Sequence, residues 1–426
     1  MPRQSLARAL AETMERIYAQ RLTTTSGGNL SIRMPDGSIW ITPAGVDKGT
    51  LQESDMVRVL PDGTTEGDHR PSSELPFHQA VYAVRPDLMA MIHAHSPGLV
   101  SYSCAAMLPD PRWFPQAARV TGRAGLAPYA LPGSAELGGS VASIFAQGCD
   151  SVVLENHGVC CGGASLGDAF LRFELFERCA QIGIAAAGLG TPKPLGDEEL
   201  ALAAPLDDLG QPQEEPWDRA TRQAAVELCA FLHRAYRQGL LVGLNGSFSC
   251  RVDEQSFLVT PRDRDRLAIT PNDLVLVRGG HWSCHDQPSR AVNLHAALYR
   301  QHPDVGAVIN AFPVCATAFS VCHKTLDTRT IPESYVFLRE TNHISYQDVY
   351  LAADDVASRL TLQRPAAILF NNGVMTLGRT LLAAFDHLEV LECTAESLLG
   401  ANRLGGYRPM DEATITGLRH AFRMDG

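Results

Sequence analysis

The 426-residue chain has no window of about 18 uninterrupted apolar residues, so no part of it is expected to span a bilayer. Basic residues are in deficit: 36 Lys and Arg stand against 47 Asp and Glu, a formal net charge of −11. That sign argues against a general nucleic-acid partner and against an anionic membrane surface. Cysteine is sparse at 11 residues, too few for a disulfide scaffold, and the odd count fits a reducing cytoplasm. There is no P-loop and no G-x-G-x-x-G after a strand, so the usual nucleotide cradles are missing. The opening stretch MPRQSLARALAETMERIYAQRL carries two acidic residues and reads as an amphipathic helix, not a cleavable leader. With 45% hydrophobic and 19% charged residues, the chain is globular rather than disordered.

The length suggests two or three domains. The pattern inside it says two, because the chain repeats itself. TTTSGGNLSIR (23–33) answers to LVGLNGSFSCR (241–251), and PSSELPFHQAVYAV (71–84) to PSRAVNLHAALYRQ (288–301). RPDLMAMIHAHSP matches HPDVGAVINAFPV, and VVLENHGVCCGG matches AILFNNGVMTLG. The offset is 218 at Arg33/Arg251, 217 at His78/His295 and 215 at Gly158/Gly373. A near-constant offset means one duplicated domain. The domains are expected at 1–210 and 216–426, joined by the Pro-, Gly- and acid-rich stretch LDDLGQPQEEPWD (206–218).

Each half reads the same way. A helix leads (5–21; 219–238), followed by short strands at LSIR, SIWITP and MVRVLPDG. A helix is expected from Ser73 to Val84, then buried strands at LMAMIHAH and SVVLEN, the latter ending at His157, and a long closing helix. Helices and strands alternate, so the fold class is α/β (mixed α+β), a central sheet flanked by helices in each half. Cys104, Cys149 and Cys179 read as core.

His93 and His95 form H-A-H at the end of an apolar strand. Residues i and i+2 on a strand face the same way, so the two imidazoles converge. His157 follows another apolar strand, in N-H-G. Three histidines can make the catalytic zinc arrangement, with a coordination position left open. The same pattern also suits histidines satisfied in a core. Glu74 and His78 stand at i and i+4 on the expected helix and should share a face. His78 has a counterpart, His295, in the half without the other histidines, which points to a structural role. Glu74 has none.

These residues carry a resemblance. S-G-G-N-L-S (26–31), I-T-P-A-G (41–45), S-D-M-V (54–57), P-S-S-E (71–74), H-A-H (93–95), A-P-Y-A (127–130) and N-H-G-V (156–159) fall in the order of the class II aldolase/adducin family. Residues 5–205 resemble it closely, and 219–424 resemble a degenerate copy. The resemblance implies that His93, His95 and His157 ligate a divalent metal, zinc first, with Mn(2+), Fe(2+) or Co(2+) as alternatives. It implies that Glu74 is the acid/base and can also ligate the metal. It implies that Gly28, Asn29, Thr42, Gly45, Ser72 and Ser73 hold a phosphate or similar anion of the substrate.

The chemistry that suits these residues is lyase chemistry on a small hydroxylated carbonyl compound. A metal polarises the carbonyl, an enediolate forms as a carbon–carbon bond breaks, and a carboxylate shuttles the proton. The family's aldolases use a tyrosine between the H-x-H strand and the A-P-Y segment; WFPQAARVTGRAGL (113–126) has none. That leaves decarboxylation or epimerisation through the same enediolate as alternatives to retro-aldol cleavage. A three-histidine Fe(II) oxygenase and a non-catalytic adducin-like scaffold are further alternatives. Arg119 or Arg123 could face an anion or be solvated, and Lys48 could be an exposed turn residue or an anion contact. Cys160 and Cys161 could pair with His157 on a metal or be small buried thiols.

By the offsets, Glu74 becomes Ala291, His93 Asn310, His95 Phe312, His157 Asn372 and Ser73 Arg290. The second half is therefore expected to be catalytically dead, with one metal site per chain. A homodimer of tandem chains, imitating a tetramer of single-domain relatives, is the expected assembly. Arg290, Tyr407 and Arg408 are then possible contributors to the live pocket.

Overall fold

The computed structural model describes residues 3–204, 216–283 and 286–424. The expected linker at 206–218 lies outside the described residues up to 215. The chain divides into two compact units, Met1–Pro111 with Ala117–Gln181, and Arg112–Gln116 with Ile182–Gly426.

The first half holds β1 (Asn29–Arg33), β2 (Ile39–Ile41), β3 (Val57–Val59), β4 (Thr65–Glu66), β5 (Ala90–Ala94), β6 (Ala124–Ala127), β7 (Ser151–Leu154) and β8 (Gly158–Gly163). Its helices are α1 (Arg3–Ala19), α2 (Leu75–Val84), α3 (Pro97–Cys104), α4 (Pro115–Thr121), α5 (Ala135–Ala146) and α6 (Leu166–Ala186). The strands make one eight-stranded sheet in the order β4-β3-β2-β1-β5-β8-β7-β6, antiparallel except for the β6–β7 pair.

The period of two along β5 assigns its faces. Ala90, Ile92 and Ala94 pack with Met14 and Ile17 of α1 and Phe173, Phe176 and Ala180 of α6. Met91 packs on the other face with Phe77 and Val81 of α2 and Leu137, Val141 and Phe145 of α5. His93 follows Met91 onto that second face and leaves the apolar layer at the strand's end. Helices therefore cover both faces of the sheet, and the polar side chains gather at its margin.

The second half repeats the design with β9 (Ser247–Arg251), β10 (Ser256–Val259), β11 (Val275–Arg278), β12 (His281–Ser283), β13 (Ala307–Ala311), β14 (Asn342–Ile344), β15 (Ala366–Leu369) and β16 (Val374–Gly378). Its sheet order is β12-β11-β10-β9-β13-β16-β15-β14. The register is kept too: Asn29 faces His93 across β1–β5, and their counterparts Ser247 and Asn310 face each other across β9–β13.

Three local readings need correction. Helix α2 starts at Leu75, so Glu74 is the residue capping it and not part of its first turn. Pro76 in the first turn fits that start, because proline's missing N–H has no intrahelical partner there. Strand β7 ends at Leu154, and His157 sits in the tight turn into β8. Cys104 is exposed, since the buried face of α3 is Gly98, Leu99 and Ser103; Cys149 and Cys179 are buried as expected. Among the described residues, no helix is long and apolar enough to cross a membrane.

Candidate metal centre

The end of β5 and the β7–β8 turn deliver three imidazoles to one place. The ring centroids of His93, His95 and His157 lie 4.8, 4.9 and 5.0 Å apart, close to an equilateral triangle. One nitrogen from each ring lies within 4.8 Å of the others. Among the described residues this is the one group of three or more His, Cys, Asp or Glu side chains so placed. His93 Nδ1 is 3.0 Å from the Val159 carbonyl oxygen. A carbonyl only accepts, so Nδ1 donates there and Nε2 is turned into the cluster.

The turn that carries His157 is built by backbone geometry. Asn156 takes the left-handed conformation (φ 55°), which asparagine tolerates better than most residues. A Cβ on Gly158 would stand 2.6 Å from the Ala94 carbonyl oxygen of the adjacent strand, so only glycine fits.

Glu74 closes the cluster. Its Oε2 is 3.2 Å from His93 Nε2 and its Oε1 is 3.2 Å from His157 Nε2. Burial works against its charge, but the His93 and His157 imidazoles together hold the carboxyl well below the usual carboxylate range. Burial and the neighbouring His93 and His157 push His95 down to about 4. His157 Nδ1 is buried and makes no hydrogen bond.

The remaining expected site residues separate when each is compared with its counterpart. Gly28 (φ 71°) could not carry a Cβ, which would lie 2.7 Å from the His93 carbonyl oxygen; Gly246 meets the same limit at 2.8 Å from Asn310. Thr42 is fully buried and its hydroxyl accepts from Leu30 N–H, as Thr260 does from Phe248. Ser72 Oγ accepts from Glu74 N–H, and Ser289 from Ala291 N–H. These three serve the backbone in both copies. Gly45 and Ser73 are exposed and become Asp263 and Arg290 in the second half. Asn29 is buried and its side chain is committed to Glu74 and His78.

Lys48 is not an exposed turn residue. It is 3% exposed, and its Nζ donates to the Pro43 carbonyl at 2.7 Å. Arg119 and Arg123 are exposed, and Arg123 donates to the Gln147 carbonyl. Cys160 and Cys161 are fully buried on β8, and burial raises both thiols, Cys161 to about 12. Thiols so protonated suit small core residues better than metal ligands.

Sequence reasoning missed Glu177. From α6 it accepts hydrogen bonds from Ser96 Oγ, Gly98 N–H and Leu99 N–H, which fixes the chain directly after His95. Glu392 accepts likewise from Cys315 and Ala316 N–H in the second half. An acidic residue kept at the same place in both closing helices is the signal that could have revealed it.

In the second half the corresponding positions are occupied otherwise. The Asn310 amide donates to the carbonyls of Asn372 and Val374. Phe312 is fully buried with its ring 5.6 Å from that of Phe114. Arg290 donates to the carbonyls of Leu202 and Ala204 and lies over the Tyr350 ring, so it is held within its own unit. Tyr407 and Arg408 are exposed.

Two stretches, residues 8–184 and 226–399, match the family described as Class II Aldolase and Adducin N-terminal domain. The chain is 31% identical over 183 residues to the 3-oxo-tetronate 4-phosphate decarboxylase of Escherichia coli K12, covering 42% of this chain and 86% of that protein. It is 33% identical over 208 residues to the L-fuculose phosphate aldolase of Escherichia coli O6:H1, covering 47% and 94%. It is 32% identical over 214 residues to the 5-deoxy-D-ribulose 1-phosphate aldolase of Bacillus thuringiensis, covering 46% and 93%.

Proposed function

The chain belongs to the class II aldolase and adducin family, and on that premise we propose that residues 1–210 form a metal-dependent lyase and residues 216–426 a copy without chemistry of its own. The substrate class is a small hydroxylated carbonyl compound bearing a phosphate. The reaction is cleavage of a carbon–carbon bond next to the carbonyl. The observation that carries this reading is a single carboxylate, Glu74, 3.2 Å from two of three converging imidazoles. A cytoplasmic location and a homodimer of tandem chains belong to the same proposal. The ten described cysteines, all free thiols, suit the former.

The donor set fits a divalent cation. Three imidazoles face one point, His93 has its Nε2 turned there by the Val159 carbonyl, and the buried His157 Nδ1 makes no hydrogen bond. His93, His95 and His157 would hold the cation, with Glu74 as a further donor, and zinc suits such a set while Mn(2+), Fe(2+) and Co(2+) remain compatible. When bound, it supplies Lewis-acid polarisation of the carbonyl and stabilises the negative charge that develops as the bond breaks.

Glu74 moves the proton. In retro-aldol cleavage it takes the proton of the substrate hydroxyl and returns one to the carbon left with the electron pair, so the protons balance. The exposed Ser73 hydroxyl and the open turn at Gly45 suit the anionic end of the substrate. One observation favours decarboxylation of a 3-keto acid as a second reading. It needs only protonation at carbon, and 113–126 has no tyrosine to assist at a hydroxyl.

The test offers L-fuculose phosphate and 3-oxo-tetronate 4-phosphate to the zinc- or manganese-loaded protein, and measures aldehyde and CO2 release. Cleavage of one of them is expected, and Glu74→Gln should lower kcat by about 10²- to 10⁴-fold. Unchanged turnover in that variant refutes the role of Glu74.

A further inference from the structure

Glu74 is one end of a buried polar chain that begins on α2. Tyr82 Oη lies 2.8 Å from Ser31 Oγ, and Ser31 Oγ lies 2.6 Å from His78 Nδ1. His78 Nε2 lies 2.5 Å from Asn29 Oδ1, and Asn29 Nδ2 donates to Glu74 Oε2 at 2.7 Å. All five side chains are buried.

We propose that His78 and Asn29 are positioning residues that hold Glu74 through one oxygen, Oε2, and so fix the direction in which Oε1 faces His157. This rests on the acid–base reading of Glu74.

The polarity of the chain follows from its charged end. A carboxylate only accepts, so Asn29 turns its NH2 to Glu74 and its oxygen to His78. His78 Nε2 must then donate. The ring, kept neutral by burial, presents Nδ1 as acceptor to the Ser31 hydroxyl, and Ser31 Oγ accepts in turn from Tyr82. Each donor points toward Glu74. The other carboxylate oxygen, Oε1, lies outside this chain and faces His157 Nε2 at 3.2 Å.

The second half is an internal control. Tyr299 Oη and His295 Nδ1 each lie 2.8 Å from Ser249 Oγ, repeating the first links. There the chain stops, because Asn29 is replaced by Ser247 and Glu74 by Ala291. Ser247 Oγ and His295 Nε2 make no hydrogen bond. Tying strand to helix therefore needs only Tyr, Ser and His. The asparagine arm is present in the copy that has a carboxylate to hold.

Two measurements test this. Histidine-selective 15N NMR of the wild-type protein should find the His78 proton on Nε2. A proton on Nδ1 overturns the proposal, with no variant needing to fold and no substrate needing to be known. In steady-state kinetics, Asn29→Ala and His78→Leu should each lower kcat by about 10- to 100-fold with KM within about threefold, as expected for a misaligned catalytic group. His78→Gln, which can still donate and accept, should recover most of the loss. His295→Leu, equally buried, should lower the melting temperature and leave kcat unchanged. Loss of turnover in Glu74→Gln without loss in folded Asn29→Ala sinks the positioning role alone. Full turnover in Glu74→Gln sinks the acid–base reading instead.

Discussion

His295 is wholly buried, bonded through Nδ1 to Ser249, and burial pushes its pKa down to about 3. In the unfolded chain a histidine titrates near 6.5. Between these values the unfolded state binds a proton that the folded state does not, so stability is full above about pH 6.5 and drains away as pH falls toward 3. Going from pH 7 to pH 4 should cost on the order of 3 kcal/mol through this residue alone. Urea unfolding of the wild type and His295→Gln at both pH values checks it: the variant should lose about 3 kcal/mol less over that interval. Equal losses would mean that His295 is charged in the fold. At this scale the three imidazoles are legible because two obey the strand period and the third ends an apolar run. Asn29 is not legible as a partner of Glu74. The two stand 45 positions apart and meet only through the pairing of β1 with β5 and the packing of α2 on that face.

Elements set what a residue can do, and Glu74 shows it. A helix read from Ser73 puts Glu74 and His78 on one face; the observed start at Leu75 frees Glu74 to turn toward the histidines while His78 stays in the core. Helix starts are hard to place from sequence where serines and a proline offer several caps, as P-S-S-E-L-P does. Helix α3 escapes the pattern altogether, because it is short and weakly amphipathic and its fixed point is Glu177, a residue from α6. Removing that cap should matter. Glu177→Ala leaves two backbone N–H groups and the Ser96 hydroxyl without their acceptor in a buried place. The cost should be about 3 kcal/mol of stability, since three hydrogen bonds of about 1 kcal/mol each lose their acceptor. The chain after His95 is released at the same time, so zinc affinity should fall by about tenfold, as it does when supporting groups around metal ligands are lost. Thermal unfolding and competition with a chelator would measure both. A variant that loses stability but binds zinc with wild-type affinity would show that α3 and His95 are held independently.

At the scale of the whole molecule, the duplication separates what folding needs from what chemistry needs. Sheet order, register, turn glycines and the Tyr–Ser–His link recur in both halves. The imidazoles and the carboxylate do not. That division is legible in the sequence, because the offset stays between 215 and 218 and each lost donor can be named before any coordinates are known. How the chains assemble is not, since complementary surfaces have no local period; a homodimer would give about 92 kDa by light scattering, twice the 46.1 kDa chain, and a monodisperse active monomer would refute it. Metal content tests the division itself. Asn310 already spends its amide on the Asn372 and Val374 carbonyls, and Phe312 offers no donor at all. An asparagine is a poor ligand for zinc, so the second half should hold none. Elemental analysis after loading should give close to one metal per chain. His93→Ala should take that value toward zero. Asn310→Ala should leave it at one and cost the fold only its two hydrogen bonds, about 1–3 kcal/mol in all. A value near two in the wild type, or full retention of metal in His93→Ala, would mean that the cation sits elsewhere than among His93, His95 and His157.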